Sequence, residues 1–145
     1  MTMKKILAAD GQAANLLIRL LAGGVFFLEG IKKFLFPEQW GAGRFTHIGI
    51  PAPSILAPFV GVVEIVCGLL LLLGLLTRLA SVPVIIDICV AIAMTKLPIL
   101  LRAGFWPMEA EARTDYSMLL GLIFLLIAGP GPLSFDARLQ TRAQR

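Results

Sequence analysis

Four long apolar stretches divide the chain, and polar residues collect between them. The first runs from Ala14 to Phe36, where Pro37 stops it. A Pro-rich turn, Ile50-Pro51-Ala52-Pro53, precedes the second, with Ser54 as the expected N-cap and an almost unbroken apolar run to Leu76. Arg78 marks a short turn before the third, Leu79 to Leu97. The fourth runs from Arg113 to Gly129, at the Gly129-Pro130-Gly131 stop. Each stretch has about 17–23 residues. That is enough to cross a hydrocarbon core of about 30 Å at about 1.5 Å per residue. Strands do not fit, because an open sheet edge in lipid leaves backbone groups unpaired. The pattern predicts an all-α integral membrane four-helix bundle, a single domain over 1–145 with spans at about 14–36, 54–76, 79–97 and 113–129.

An even number of spans puts both termini on one side. Lys4, Lys5, Arg19, Arg78, Arg138, Arg142 and Arg145 fall on that side, and Lys32, Lys33, Arg44, Lys96, Arg102 and Arg113 on the other. The basic carboxyl tail and the amino-terminal lysines favour a cytoplasmic location for the termini. The expected setting is multi-pass, in the cell inner (plasma) membrane. Connections 37–53, with Trp40, Phe45 and His47, and 98–112, with Phe105 and Trp106, then lie on the far side. Their tryptophans suit the membrane interface. The segment before Leu16 lacks a long apolar core ahead of a small-residue cleavage site, so the first stretch reads as a retained helix.

Composition agrees with the pattern: 58% of the 145 residues are hydrophobic and only 15% charged, too little polar surface for a soluble domain. The net charge of +4 comes from scattered residues that flank apolar segments, which is the placement of membrane anchors and not of a nucleic-acid surface. Cys67 and Cys89 stand singly in different stretches and form no C-x-x-C motif, so they read as small buried hydrophobes. His47 is the one histidine, and no metal-ligand spacing appears.

Ionisable residues inside a span are costly and are therefore functional candidates. Glu64 falls near the middle of the second stretch and Asp87 at a similar depth in the third. Glu29, Lys32 and Lys33 occupy the last third of the first, Lys96 the end of the third, and Asp115 the start of the fourth. All of these except the deeper Glu64 and Asp87 belong to the outer half of the bundle. Together they could line a polar pocket covered by the two long connections. Plainer readings stand beside this one. Glu29 and Lys33 have the spacing of a helix ion pair, Lys32 and Lys33 can snorkel, Asp115 complements a helix amino terminus, and Arg19 and Lys96 are interfacial. Gly61 and Gly68 share a helical face with Glu64, so that face should meet a partner helix, where the carboxyl group must be protonated, paired or hydrated.

Arg19, Gly23, Gly24 and Gly30-Ile31-Lys32-Lys33-Phe34 together resemble the first-helix signature of the DoxX family. Glu64, Gly68, Gly74 and Thr77-Arg78-Leu79-Ala80 are similar to its second signature. Asp115-Tyr116 and Gly129-Pro130-Gly131-Pro132-Leu133-Ser134-Phe135-Asp136 look like its last helix and closing turn. Glu29 departs from the histidine often found at its position, and Asp115 stands where a glutamate is usual. The resemblance implies a bacterial membrane protein from a family named for a subunit of a thiosulfate:quinone oxidoreductase. Other members are associated with oxidative stress and with quinone or catechol resistance.

The expected function is a membrane subunit of a redox system, at most one part of an oxidoreductase, that binds a quinone-like or other small apolar ligand in the bundle. Glu64, Asp115, Glu29 and Asp87 are the proton-handling candidates, and Lys33, Tyr116 and Arg19 the candidates for ligand binding. No tightly bound cofactor is expected, because the chain has no haem ligand pair, flavin motif or iron–sulfur cysteines; quinone is the candidate. Expected partners are the lipid bilayer, a soluble or membrane redox protein and further copies of the chain, with no nucleic acid. Two other functions fit the same residues: a proton-coupled small-solute transporter, and a membrane anchor or scaffold for a soluble redox enzyme.

Overall fold

A computed structural model describes residues 14–143, and all its regular structure is helical. Lys4, Lys5 and Arg145, which contributed to the topology expectation, lie outside the described residues. Helix α1 covers Ala14–Leu35, and the short helices α2 (Pro37–Trp40) and α3 (Ala42–His47) follow. Pro37 takes the first position of α2, where its missing N–H costs nothing. Helix α4 spans Pro53–Leu73. Its start is set by Ala52 in the left-handed region at φ 46° followed by Pro53, so Ser54 is not the cap. It ends three residues before the apolar run does, because Gly74 at φ 66° donates its N–H back to Leu70 and Leu71 and closes the helix.

Helix α5 runs over Thr77–Ala103, past the expected end at Leu97. Within it Ile92–Lys96 wind as a π turn, and the Leu97 N–H reaches back to the Ile92 carbonyl. Pro98 would ordinarily break a helix by crowding the carbonyl one turn earlier. The wider turn absorbs that conflict. Gly104, at φ 88°, then reverses the chain into α6, Phe105–Ala128, eight residues ahead of the expected start at Arg113. The segment expected as a second long loop is therefore a helical hairpin. Pro107 is tolerated there because it lies in the first turn of α6. A last helix, α7, covers Phe135–Ala143.

Helices α1, α4 and α5 are long and apolar enough to cross a membrane. Helix α6 is as long, but its first half carries Glu109, Glu111, Arg113 and Asp115. Contacts run from α1 to α4, α4 to α5, α5 to α6 and α6 back to α1. A narrow core of Phe26, Leu71, Val84, Ile88, Met118, Leu122 and Leu125 lies between them. Most other large apolar side chains face outward, among them Leu17, Ile55, Ile86 and Ile127. Exposed apolar surface on this scale is covered by lipid or a partner.

The closest packing joins α1 to α4. Gly23 and Gly30 lie seven residues apart on α1, as do Gly61 and Gly68 on α4, so each pair repeats on one face after two turns. A Cβ on Gly68 would stand 2.5 Å from the Phe27 amide nitrogen, and one on Gly30 would stand 2.6 Å from the Gly61 carbonyl oxygen. The two backbones touch, as small residues allow between membrane helices. The face carrying Gly61, Glu64 and Gly68 thus meets a partner helix, as its spacing predicts.

One end of the seam is locked by Arg19, which is only 2% exposed. Its guanidinium donates to the carbonyls of Leu71 and Leu72 at 3.0 Å each, Pro130 at 3.0 Å and Leu133 at 2.7 Å. Two of these carbonyls belong to the last turn of α4, where the regular helical ladder runs out; Leu71 shares its oxygen with the Gly74 N–H. Asp136 accepts from the Leu76 and Thr77 amides and so caps α5 from the far end of the chain. Ser134 accepts from the Ala137 N–H and caps α7 in the same way.

Gly68→Ala should cost about 1–3 kcal/mol, because the obstructing atoms are backbone and cannot rotate away. Thermal unfolding in detergent measures it, and an unchanged melting temperature would show that the seam is looser than described.

Candidate functional site

At the end of the helices opposite Arg19, a cavity of about 310 Å³ opens between α1, α4, α5 and α6. Its position follows from how side chains leave an antiparallel helix pair. Each Cα–Cβ bond tilts toward its own helix amino terminus. Lys33 of α1 and Glu64 of α4 therefore lean toward each other across the Gly30–Gly61 contact, and Lys33 Nζ donates to Glu64 Oε2 at 2.6 Å. Both side chains are largely buried, Glu64 almost completely, at 4% exposed.

Asp87 of α5 also lines the cavity, close enough to Glu64 and Lys33 to interact with both. Asp115 of α6 lines it as well and pairs with Lys96 at 3.2 Å. Lys96 sits at the end of the π turn, whose wider winding changes the direction in which following side chains leave the helix. Glu29 pairs with Lys32, and Lys32 in turn lies 4.4 Å from the centre of the Trp40 ring. Phe26, Phe59, Ile88 and Met118 supply apolar wall. Trp40, Arg44 and Phe45, from α2 and α3, form the cover. Arg44 also lies against the Trp40 ring, so this aromatic links α3 to Lys32 of α1.

Five of the residues singled out from the sequence thus meet in one place: Glu29, Lys33, Glu64, Asp87 and Asp115. Two do not. Arg19 is at the other end, buried among helix ends and bonded to backbone carbonyls, so it is not placed to bind a ligand in the cavity. Tyr116 is 61% exposed on α6 and does not line the cavity. The pairing also differs from the spacing argument. Glu29 takes Lys32, one residue nearer, because Lys33 points across the seam to Glu64. Asp115 lies in the third turn of α6 and not at a helix start, and its partner is Lys96. His47 is exposed on α3. Cys67 is buried and Cys89 exposed, and both are free thiols.

Several contributors were not singled out beforehand. Phe26 and Met118 carry no signal that separates them from ordinary core residues. The π turn had one, the proline two residues after Lys96. Only the first of the two connections expected as a cover serves as one, since the second is the α5–α6 hairpin.

The chemistry this arrangement can perform is limited and specific. A buried lysine–carboxylate pair beside a further acid can orient a polar group, give it a proton or take one from it. The surrounding apolar wall keeps the local dielectric low and strengthens each of these contacts. Among the described residues no cluster of three metal-ligating side chains occurs.

The model of the DoxX family matches residues 14–97. An uncharacterized membrane protein of Mycobacterium tuberculosis is 56% identical over 145 residues, covering 96% of this chain and 89% of its own length. A Bacillus subtilis protein provisionally named as the oxidoreductase CatD is 31% identical over 126 residues, covering 86% of each chain. No solved structure matches.

Removing one partner of the buried pair leaves an uncompensated charge, so Lys33→Met alone should cost about 3–5 kcal/mol. Lys33→Met combined with Glu64→Leu should recover most of that loss. Unfolding of the two single variants and the double variant gives the coupling, and strictly additive losses would show that the pair is not energetically joined.

Proposed function

The chain belongs to the DoxX family of membrane proteins, and from that premise we propose that it is the membrane subunit of a redox system that holds a quinone-like molecule in the cavity. One observation carries the reading: the Lys33–Glu64 pair, with Asp87 beside it, stands in a cavity whose remaining wall is largely aromatic and aliphatic. Apolar pockets with a few convergent polar groups are the usual form of small-molecule sites. The residues present fit a quinone head. Lys33 has N–H hydrogens beyond the one given to Glu64 and can offer them to a ring oxygen. Glu64 and Asp87 can take up or release protons at that oxygen, and Phe26, Phe59 and Met118 suit the faces and edges of a ring. A volume of about 310 Å³ holds one substituted ring system, so any long tail would leave between the helices into lipid.

A bound quinone would supply the exchange of electrons together with protons. The chain's own part is to bind, orient and move protons through Glu64 and Asp87, with electrons coming from a partner protein. The oxidoreductase wording in the name of the Bacillus relative points the same way.

The same reading makes α6 the fourth span. Its Tyr116–Ala128 half is apolar, and Met118, Leu122 and Leu125 pack into the core, while Glu109, Glu111 and Arg113 would stand beyond the hydrocarbon. Both termini then share the Arg19 end, on the cytoplasmic side of the inner membrane, and the cavity lies toward the outer face.

Two measurements test this. Protein purified gently from its own membranes should carry quinone detectable by mass spectrometry. Glu64→Gln should weaken rebinding about tenfold, the worth of one hydrogen bond to a charged group, while Tyr116→Phe leaves it unchanged. Unaltered binding in Glu64→Gln would remove that residue from the site. For topology, reporter fusions at Gly104 and Thr141 should report opposite sides, and agreement between them would exclude a four-span arrangement.

A further inference from the structure

Four carboxylates line the cavity: Glu29, Glu64, Asp87 and Asp115. Three of them have a lysine, since Lys32 serves Glu29, Lys33 serves Glu64 and Lys96 serves Asp115. Among the described residues Asp87 has no ion-pair partner; its neighbour is the Glu64 carboxyl group, within hydrogen-bonding reach and itself held by Lys33. The second basic group of the lining, Arg44, belongs to the cover and lies against Trp40.

Two carboxyl groups in contact at low dielectric need a hydrogen between them, and the second oxygen of Asp87 still needs one from something else. Lys33 nearby supplies the complementary need, an N–H looking for a lone pair. A ligand oxygen between them is best used if it accepts from Lys33 and donates to Asp87. A hydroxyl does both, whereas a quinone carbonyl can only accept and would turn its lone pairs toward those of the carboxylate.

We propose that Asp87 is the acceptor for a ring hydroxyl of the ligand, so that the site takes a dihydroxyaromatic, the reduced partner of a quinone, in preference to the quinone. This rests on the reading of the cavity as a quinone-type site and adds which redox form it favours and which residue decides. The preference belongs to the ionised form of Asp87, for which the O–H···O⁻ contact is charge-assisted and about twice as strong as a neutral one. Favouring the reduced form also makes the bound molecule easier to reduce than the same molecule free in lipid, by linkage.

The full chain in detergent, kept anaerobic, is titrated calorimetrically with 2-methyl-1,4-naphthoquinone and separately with its two-electron-reduced diol. The diol should bind about tenfold more tightly. In Asp87→Asn, whose amide can donate to a carbonyl, the ratio should fall to about one or invert. Asp87→Ala, which offers neither, should also lose the preference and serves if the Asn variant does not keep the wild-type melting behaviour. Equal affinities in the unaltered protein, or a preference that survives in both variants, would overturn the assignment of Asp87 while leaving the cavity reading intact. Failure of the unaltered protein to bind either form would overturn both.

Discussion

The contact of α1 with α4 through facing glycines is the constraint on which the rest of the molecule depends. Because nothing larger than hydrogen separates the two backbones at Gly23, Gly30, Gly61 and Gly68, side chains on either side of the contact can reach the opposite helix. At one end Arg19 spans to the last carbonyls of α4, and at the other Lys33 spans to Glu64. Widening the seam would strand a guanidinium at one end and a carboxylate at the other. In lipid, where apolar side chains gain little by leaving the solvent for each other, such close contact and the polar links it permits are the main source of helix adhesion.

The residues that carry the family resemblance therefore divide into two groups with different work. Arg19, Gly74, Thr77 and the Gly129–Asp136 turn build the closed end, where carbonyls and amides left over at helix termini are satisfied by side chains from distant parts of the chain. Gly30, Lys33, Glu64 and Asp115 build the cavity end. A polar residue inside a membrane segment is a functional candidate by default, but the default is met differently at the two ends. Arg19 spends four of its five N–H donors on backbone carbonyls, which is the signature of a structural role. The acids of the cavity keep oxygen lone pairs facing open space.

The balance of charges around that space gives the site its character. Lysines from two helices neutralise three acids from three helices, and among the described acids of the cavity only Asp87 is left without an ion pair. The π turn belongs to this economy of positions. By letting α5 continue past Pro98, it brings Lys96 to Asp115, where a helix broken at that point would place neither. The cover formed by α2 and α3 adds Trp40, held between Lys32 and Arg44, so the cation that serves Glu29 also steadies the aromatic above the cavity.

The helical membrane character, the approximate places of α1, α4 and α5 and the identity of the polar residues worth attention were all legible in the chain. They depend on runs of apolar residues and on the cost of charge in lipid, both of which are local properties. Gly61, Glu64 and Gly68 even announced a buried face, because three positions within two turns of one helix fix a direction. The partners were not legible. Lys33 has an acid four residues earlier at ideal spacing and takes another from 31 residues away, since the direction a long side chain leaves its helix matters only once a neighbour is in place. Arg19 looks interfacial by position and is buried because a turn from the far end of the chain folds over it. Helix ends at Gly74 and Gly104 were likewise decided by single backbone conformations within or beside apolar runs. The order of residues is enough to say which solvent the helices need and which groups cannot be left alone in it; which of those groups satisfy one another depends on depth and direction across helices, and neither exists until the helices are packed.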